Sequence, residues 1–284
     1  MPTPRLRPMT ADDVAPASAA IIADDWGDRL AWFEFAVGHP QCDVVVADVD
    51  GEVVGTGVTT RIGAVGWIGT IWVASRWRGH GLGRDLTLAT IDAAEAAGCR
   101  TLVLVATAAG RPLYERLGFQ IRTWYVTVEA PGRRGADPAT PPHGAPRVRP
   151  FRAQDLDTMA RLDAATTGED RSHLLAAFAD PASTWVVTGA DDLPRGFMVR
   201  APWGGGATIA PDPADALALL DARRDRYPAD RRVRAGILAD NQDGFARLAA
   251  DGWTEAWRAP RMERGEPLDW DPAAIWGQFN HALG

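Results

Sequence analysis

The stretch Ile71-Trp72-Val73-Ala74-Ser75-Arg76-Trp77-Arg78-Gly79-His80-Gly81-Leu82-Gly83-Arg84-Asp85 decides how this chain is read. Thr70 to Val73 is a β-branched and aromatic run of strand character, Arg78 to Gly83 is a glycine-rich turn, and a helical pattern follows until Gly98 stops it. Gly79, Gly81 and Gly83 lack a Cβ, so successive backbone N–H groups can face one concavity. The helix that starts near Gly83 adds its unpaired N–H groups and the positive end of its dipole. Strand, turn and helix together read as a phosphate-holding element.

Spacing narrows the ligand. A P-loop needs Gly-Lys-Ser/Thr at its end, but Arg84-Asp85 follows Gly83, and a dinucleotide fingerprint needs a further glycine where Arg84 stands. The pattern present is R-x-x-G-x-G, from Arg78 to Gly83, after a hydrophobic strand ending in Val73-Ala74-Ser75. Downstream, Thr101 to Ala106 is an apolar run of strand length, suited to a strand buried on both faces. Arg111 to Leu117 then reads as a short helix with Pro112 in its first turn and Gly118 just past its end.

These two stretches resemble the GNAT superfamily of N-acetyltransferases. The first matches its pyrophosphate-binding signature. The second, Leu113-Tyr114-Glu115-Arg116-Leu117-Gly118-Phe119, is similar to its L-Y-x-x-x-G-F ending. The resemblance covers roughly Arg5 to Val128. It implies a mixed α/β fold, a twisted and largely antiparallel sheet flanked by helices that splays after its fourth strand to admit a cofactor.

The rest of the chain is organised around that domain. Before it come a short strand at Arg5 to Pro8, a helix with Thr10 as N-cap, a second helix carrying Trp26, Leu30, Phe33 and Val37 at helical spacing, and a hairpin turning at Asp50-Gly51. Pro131 to Arg147 is crowded with Pro and Gly and reads as a linker. Beyond it the chain starts again: Arg7-Pro8, Ala11 and Asp13 recur as Arg149-Pro150, Ala153 and Asp155, and Gly118-Phe119 is echoed by Gly252-Trp253. Two copies of one fold are expected, with a catalytic domain at 1–130 and a degenerate GNAT-like domain at 148–284, as in tandem-GNAT proteins. In the second copy the phosphate turn is replaced by Ala210-Pro211-Asp212-Pro213-Ala214-Asp215. Its prolines lack N–H groups and its carboxylates repel phosphate, so it is expected not to bind CoA.

The resemblance also implies site residues. Acetyl-CoA, as co-substrate, would lie between the fourth and fifth strands, with backbone at Ile71 and Val73 pairing its pantetheine arm and N–H groups from Arg78 through Gly79, Gly81, Gly83 and Arg84 on its pyrophosphate. Arg78 and Arg84 add charge there, or are solvated residues at a helix end. Thr107 occupies the place of a cofactor-binding Asn, and Tyr114 that of the general acid for the CoA thiolate, with a backbone N–H near Val73 for the developing oxyanion. A lysine-like amine, of pKa about 10.4, needs a base to attack at neutral pH. Where the family commonly carries Glu, this chain has Gly69, and no carboxylate occurs from Ile62 to Val73. Asp24, Asp25, Asp28 and Glu34 are the alternatives. Trp26, Trp32, Trp67 and Trp72 read either as an acceptor pocket or as core. The acidic loop at Asp170 reads first as a helix cap.

Bulk properties set the class. The chain has 284 residues, 46% of them hydrophobic, enough for one to two domains. No apolar run reaches membrane-spanning length and the start has no apolar signal core, so a cytoplasmic protein without a membrane partner is expected. A net charge of −7 argues against nucleic acid as partner. The basic residues are all Arg, and Cys42, Cys99, His143, His173 and His281 show no metal-ligand spacing. The resemblance implies a small-molecule or peptide amine as acceptor, with oligomeric state open. The competing expectation is a non-catalytic acyl-CoA-binding sensor or scaffold.

Overall fold

The computed structural model describes residues 3–134 and 146–284, so most of the linker at 131–147, with His143, lies outside the described residues. The chain divides into two compact units: Met1–Gln120 with Met262–Pro267 and Asn280–Gly284, and Ile121–Arg261 with Leu268–Phe279. The first cut therefore falls about ten residues before the expected end of the first domain, and two late segments belong to the first unit.

In the first unit the order is β1 (Arg5–Pro8), α1 (Ala11–Ala23), α2 (Leu30–Gly38), β2 (Cys42–Val49), β3 (Glu52–Ile62), β4 (Val65–Val73), α3 (Leu82–Ala96), β5 (Thr101–Val105) and α4 (Arg111–Arg116). The strands lie in that order, antiparallel except for β4 and β5. Helix α3 buries a stripe of Leu82, Leu86, Thr90 and Ala94, with Thr87 and Ile91 beside it, at the i, i+4 and i, i+3 spacings that put side chains on one helical face. Its first turn packs with Val45, Ala47, Ile71 and Val73 of the sheet. Trp72 points the other way, its indole donating to Asp24 at the end of α1.

β4 and β5 are paired only from Val65–Trp67 against Thr101–Val103; beyond that no register links them. On its other side, β4 shifts register against β3 between Val58↔Gly69 and Thr56↔Trp72, leaving an extra residue in β4. Thr70 takes the strain, at φ 52°. Trp32 donates to its hydroxyl at 3.0 Å, and its carbonyl accepts from Thr56 at 2.8 Å. The bulge breaks the two-residue alternation, so Ile68 and Ile71 reach the same apolar cluster although they are three apart. It also bends β4 away from simple pairing at the place where it parts from β5.

The second unit carries β6 (Gln120–Pro131), β7 (Arg147–Pro150), α5 (Leu156–Thr167), α6 (Ser172–Phe178), β8 (Trp185–Thr188), β9 (Pro194–Met198), β10 (Thr208–Ile209), α7 (Pro213–Arg224), β11 (Arg232–Leu238), α8 (Gln242–Ala250), β12 (Thr254–Gly265) up to Arg261, and β13 (Ile275–Gly277). β6 lies between β12 and β11, and a second sheet runs β13-β10-β9-β8-β7. The inserted strand β13 pairs antiparallel with β10 on the edge opposite β9.

The repeat seen in the sequence has a physical basis. Arg7 forks onto Asp13 at 2.7 Å and also reaches Asp48; Arg149 forks onto Asp155 at 2.8 Å and also reaches Asp192. On β1 and on β7 an arginine ties its strand to the start of the following helix and to a carboxylate near the next hairpin. Gly118 and Gly252, each just past the short helix α4 or α8, sit at φ 88° and 79°, a left-handed turn that favours glycine.

Candidate active site

Because β4 and β5 run parallel, the segments that leave their C-terminal ends emerge on the same side of the sheet. The glycine turn and α3 follow β4; Thr107 and α4 follow β5. This brings the sequence-predicted cofactor residues to one end of the fold, around the gap where the two strands separate.

The glycine turn is uncrowded. Gly79 and Gly81 take φ 80° and 88°, and a Cβ on either would meet nothing within 4 Å. Gly81 is the N-cap of α3, and the helical bonds begin with Arg84 and Asp85 donating to its carbonyl. The N–H groups of Leu82 and Gly83, in the first turn, have no helical carbonyl to bond. The concavity is open, positive by its dipoles and free of carboxylate caps, which suits pyrophosphate oxygens. On the β5 side, the backbone of Ile68 to Val73 lacks a ladder partner once β5 has diverged, as a pantetheine arm with its amides requires.

Arg78 has a structural engagement. Its Nε donates to Val73 O at 2.9 Å and its Nη2 to Asp24 at 2.7 Å. Asp24 also accepts from Ser75 and Trp72. Burial raises the pKa of Asp24, but those hydrogen bonds and the Arg78 charge outweigh it and hold the carboxyl below its usual range. Asp24 is thus the clasp that fixes the end of β4 and the start of the turn to α1, and it is poorly suited to be a base. Sequence reasoning placed it among base candidates; the hub role rests on contacts about fifty residues apart that no local pattern announces. Arg84 is exposed and lies 3.7 Å from Asp85, available to a ligand at the helix start.

Tyr114 is buried among Ile68, Ile71, Leu104 and Ala106, with its ring edge-on to Phe119. Burial pushes its pKa up to about 12. Among the described residues no protein group is hydrogen-bonded to its hydroxyl. Thr107 accepts the N–H of Gly110 on its hydroxyl at 3.1 Å, shaping the turn into α4 and keeping its own hydrogen to donate.

The opposite face of β4 holds the missing base position. A Cβ on Gly69 would stand 2.3 Å from the Cβ of Ala282 and 2.8 Å from the carbonyl oxygen of His281. The segment Asn280–Gly284 therefore lies in the space that a side chain at 69 would need, and only glycine permits so close an approach. Asp28 caps α2 through Leu30 N–H and accepts from Ser18, and Glu34 is exposed. Trp32, Trp67 and Trp72 are almost wholly buried, which gives these three the packing role; Trp26 is half-buried. His281 has its pKa pushed down to about 4 by burial and the nearby Arg29. In the second unit Asp170 accepts from Ser172 at the start of α6, the capping role.

Among the described residues, no group of His, Cys, Asp and Glu could hold a metal ion, and no helix is long and apolar enough to cross a membrane.

Comparison with known proteins follows the same line. Residues 10–119 match the family model of the acetyltransferase (GNAT) family. Among solved structures, a candidate acetyltransferase from Pyrococcus horikoshii superposes with a TM-score of 0.82 at 18% identity, over 100% of this chain and 97% of that one. A GCN5-related N-acetyltransferase from Sphaerobacter thermophilus gives 0.65 at 18% identity, over 94% and 98%. A tandem GNAT protein from the clavulanic acid biosynthesis pathway gives 0.62 at 15% identity, over 94% and 100%. At such identities the likeness establishes the fold. A comparison with curated proteins returned no match.

Proposed function

From the match of residues 10–119 to the GNAT acetyltransferase family model, we propose that this chain is an acetyl-CoA-dependent enzyme that transfers the acetyl group directly to a primary amine of a small molecule or peptide. The observation that carries this reading is the turn from Arg78 to Arg84, with left-handed Gly79 and Gly81 and an open helix N-terminus beside the unpaired edge of β4.

Acetyl-CoA supplies a thioester carbonyl for the amine to attack and a thiolate to leave. The chain's own residues divide the remaining work. Backbone N–H groups from Gly79 to Gly83 hold pyrophosphate, with the Arg84 side chain adding charge and Arg78 locking the turn through Asp24. Ile71 and Val73 present backbone groups to the pantetheine amides, and a backbone N–H beside the Thr70 bulge faces the carbonyl oxygen as charge develops on it. Thr107 offers a hydroxyl hydrogen to the cofactor. Tyr114, with its pKa near 12, stays protonated at neutral pH and donates to the leaving sulfur. With no carboxylate on β4, the amine's proton leaves to water, so turnover should climb with pH as the acceptor's neutral fraction grows.

The glycine at 69 favours a second reading, acyl-CoA binding without catalysis. Thiol release from acetyl-CoA with a panel of amines separates the two. Tyr114→Phe should slow turnover about 100-fold, the lower end for loss of an acid catalyst, and leave CoA affinity nearly unchanged. Equal rates would remove Tyr114 from its role. Tight CoA binding with no thiol release from any amine would favour the binding protein.

A further inference from the structure

A buried guanidinium needs a counter-charge, because removing it from water is costly and only a paired, hydrogen-bonded charge recovers that cost. The second unit has five buried arginines among its described residues: Arg149, Arg171, Arg223, Arg224 and Arg261. Four have a carboxylate close by. Arg149 has Asp155 at 2.8 Å, Arg171 has Asp163 at 2.6 Å, Arg224 has Asp251 at 2.6 Å and Arg261 has Glu169 at 3.7 Å. Arg223, 9% exposed in the last turn of α7, has none among the described residues, and its Nε is buried without a hydrogen-bond partner.

A second cation makes the imbalance worse. Arg200, two residues past β9, is itself desolvated, and its guanidinium donates to Gly204 O within its own turn. Burial first, and then the charge of Arg200, pull the pKa of Arg223 down to about 9. The groups beside this pair are phenols rather than carboxylates: Tyr125 and Tyr227 both lie close enough to act on it. Tyr125 is held in place on both sides. A Cβ on Gly236 of β11 would stand 1.8 Å from its hydroxyl oxygen, and that oxygen accepts the backbone N–H of Gln278. Two guanidiniums and the fixed Tyr125 hydroxyl, with no carboxylate among them, have the donor chemistry that recognises an oxyanion.

We propose that Arg200 and Arg223, with Tyr125 and Tyr227 beside them, form a binding site in the second unit for a small oxyanion, a phosphate or carboxylate group. The site is unrelated to the α7 N-terminus that replaces the phosphate turn, since Arg223 lies at the other end of that helix. It gives the second unit a ligand of its own, and it does not depend on acetyl transfer by the first.

The test is thermal unfolding of the full chain at fixed ionic strength, with inorganic phosphate, sulfate or malonate replacing chloride. A ligand that binds only the folded state raises the midpoint in a saturable way. The expected result is a saturable rise in millimolar phosphate or malonate, the better of the two identifying the class. Arg223→Met should abolish that response while being at least as stable as the wild type in chloride, because it removes an uncompensated charge. Arg200→Gln should weaken the response about tenfold, the loss of one charge-assisted contact. A wild type that responds to these anions no more than to chloride overturns the proposal, as does an Arg223→Met protein that responds like the wild type. If Arg223→Met does not fold, Arg200→Gln decides: an unchanged phosphate midpoint overturns the site.

Discussion

Helices α3 and α7 occupy the same place in two copies of one fold, and their first turns have opposite chemistry. Before α3, Gly81 at φ 88° leaves the first N–H groups facing open space. Before α7, Asp212 accepts the N–H of Ala214 at 2.8 Å, Pro213 removes another donor, and Asp215 is buried in the first turn against Arg195. A side-chain carboxylate already stands where a phosphate would. The strands differ in the same sense: β4 leaves its edge unpaired where β5 diverges, whereas the corresponding edge of β10 is taken by β13. The two units thus differ at this place by one carboxylate and one strand of three residues, with no change of architecture.

The comparison can be broken at several points. The largest effect is expected where the two copies are most alike. The Arg149–Asp155 pair has side chains only 7% and 3% exposed, against 29% and 11% for Arg7–Asp13. Asp155→Asn leaves a buried arginine short of its partner and should cost about 3–5 kcal/mol in urea denaturation. Asp13→Asn should cost about 1–3 kcal/mol, the scale of hydrogen bonds to a charged group. Burial raises the pKa of Asp155, but the Arg149 fork more than offsets it and the net shift is downward. Its contribution is therefore present above the unfolded carboxylate pKa of about 3.9 and lost as pH falls through the lower folded value. Asp155→Asn should flatten that acid limb; identical limbs in both proteins would contradict the assignment.

Next comes Gly81→Asp, which places a β-carbon at a left-handed φ and a carboxylate in the phosphate turn. Acetyl-CoA affinity by calorimetry should fall at least 100-fold, about 2.7 kcal/mol. An affinity within threefold of the wild type would remove the turn from the cofactor site. Gly69→Ala should cost about 1–3 kcal/mol, since its methyl group overlaps Ala282 and the 280–284 segment must shift. A neutral thermal midpoint would mean that segment gives way freely. The smallest effect belongs to Asp212→Ala, about 1 kcal/mol for a lost helix cap. It should create no second acetyl-CoA site, because β13 still covers the β10 edge; calorimetry showing two sites per chain would reverse the account of the second unit.

What could be read in advance was local. The glycines of the turn from Arg78 to Gly83, the Tyr114 helix, the Thr10 and Asp170 caps and the doubled Arg7–Asp13 and Arg149–Asp155 pairs each lie within a dozen residues of sequence. Unreadable features join distant segments through elements too short for periodicity. β10 has two residues and β13 three, so neither shows an alternating pattern. Gly69 was visible as a missing carboxylate, but its reason, the close approach of Ala282, lies more than two hundred positions away. The role of Asp24 rests likewise on Trp72, Ser75 and Arg78, and the unmatched Arg223 could be recognised only after the other buried arginines had found their carboxylates.

The membership of Met262–Pro267 and Asn280–Gly284 in the first unit bears on biosynthesis. As the ribosome releases the chain from its N-terminal end, β1 to α4 emerge first, yet Glu266, which bonds Arg100 and Thr101 beside β5, is made only after residues 121–261 of the second unit, and Ala282, which covers Gly69, after that unit's last segment. The first domain can form most of its local contacts during translation, but its final contacts have loops well over a hundred residues long to close. Until then the edge of β5 and the Gly69 face of β4 stay exposed on the nascent chain, and those are the surfaces a chaperone would guard.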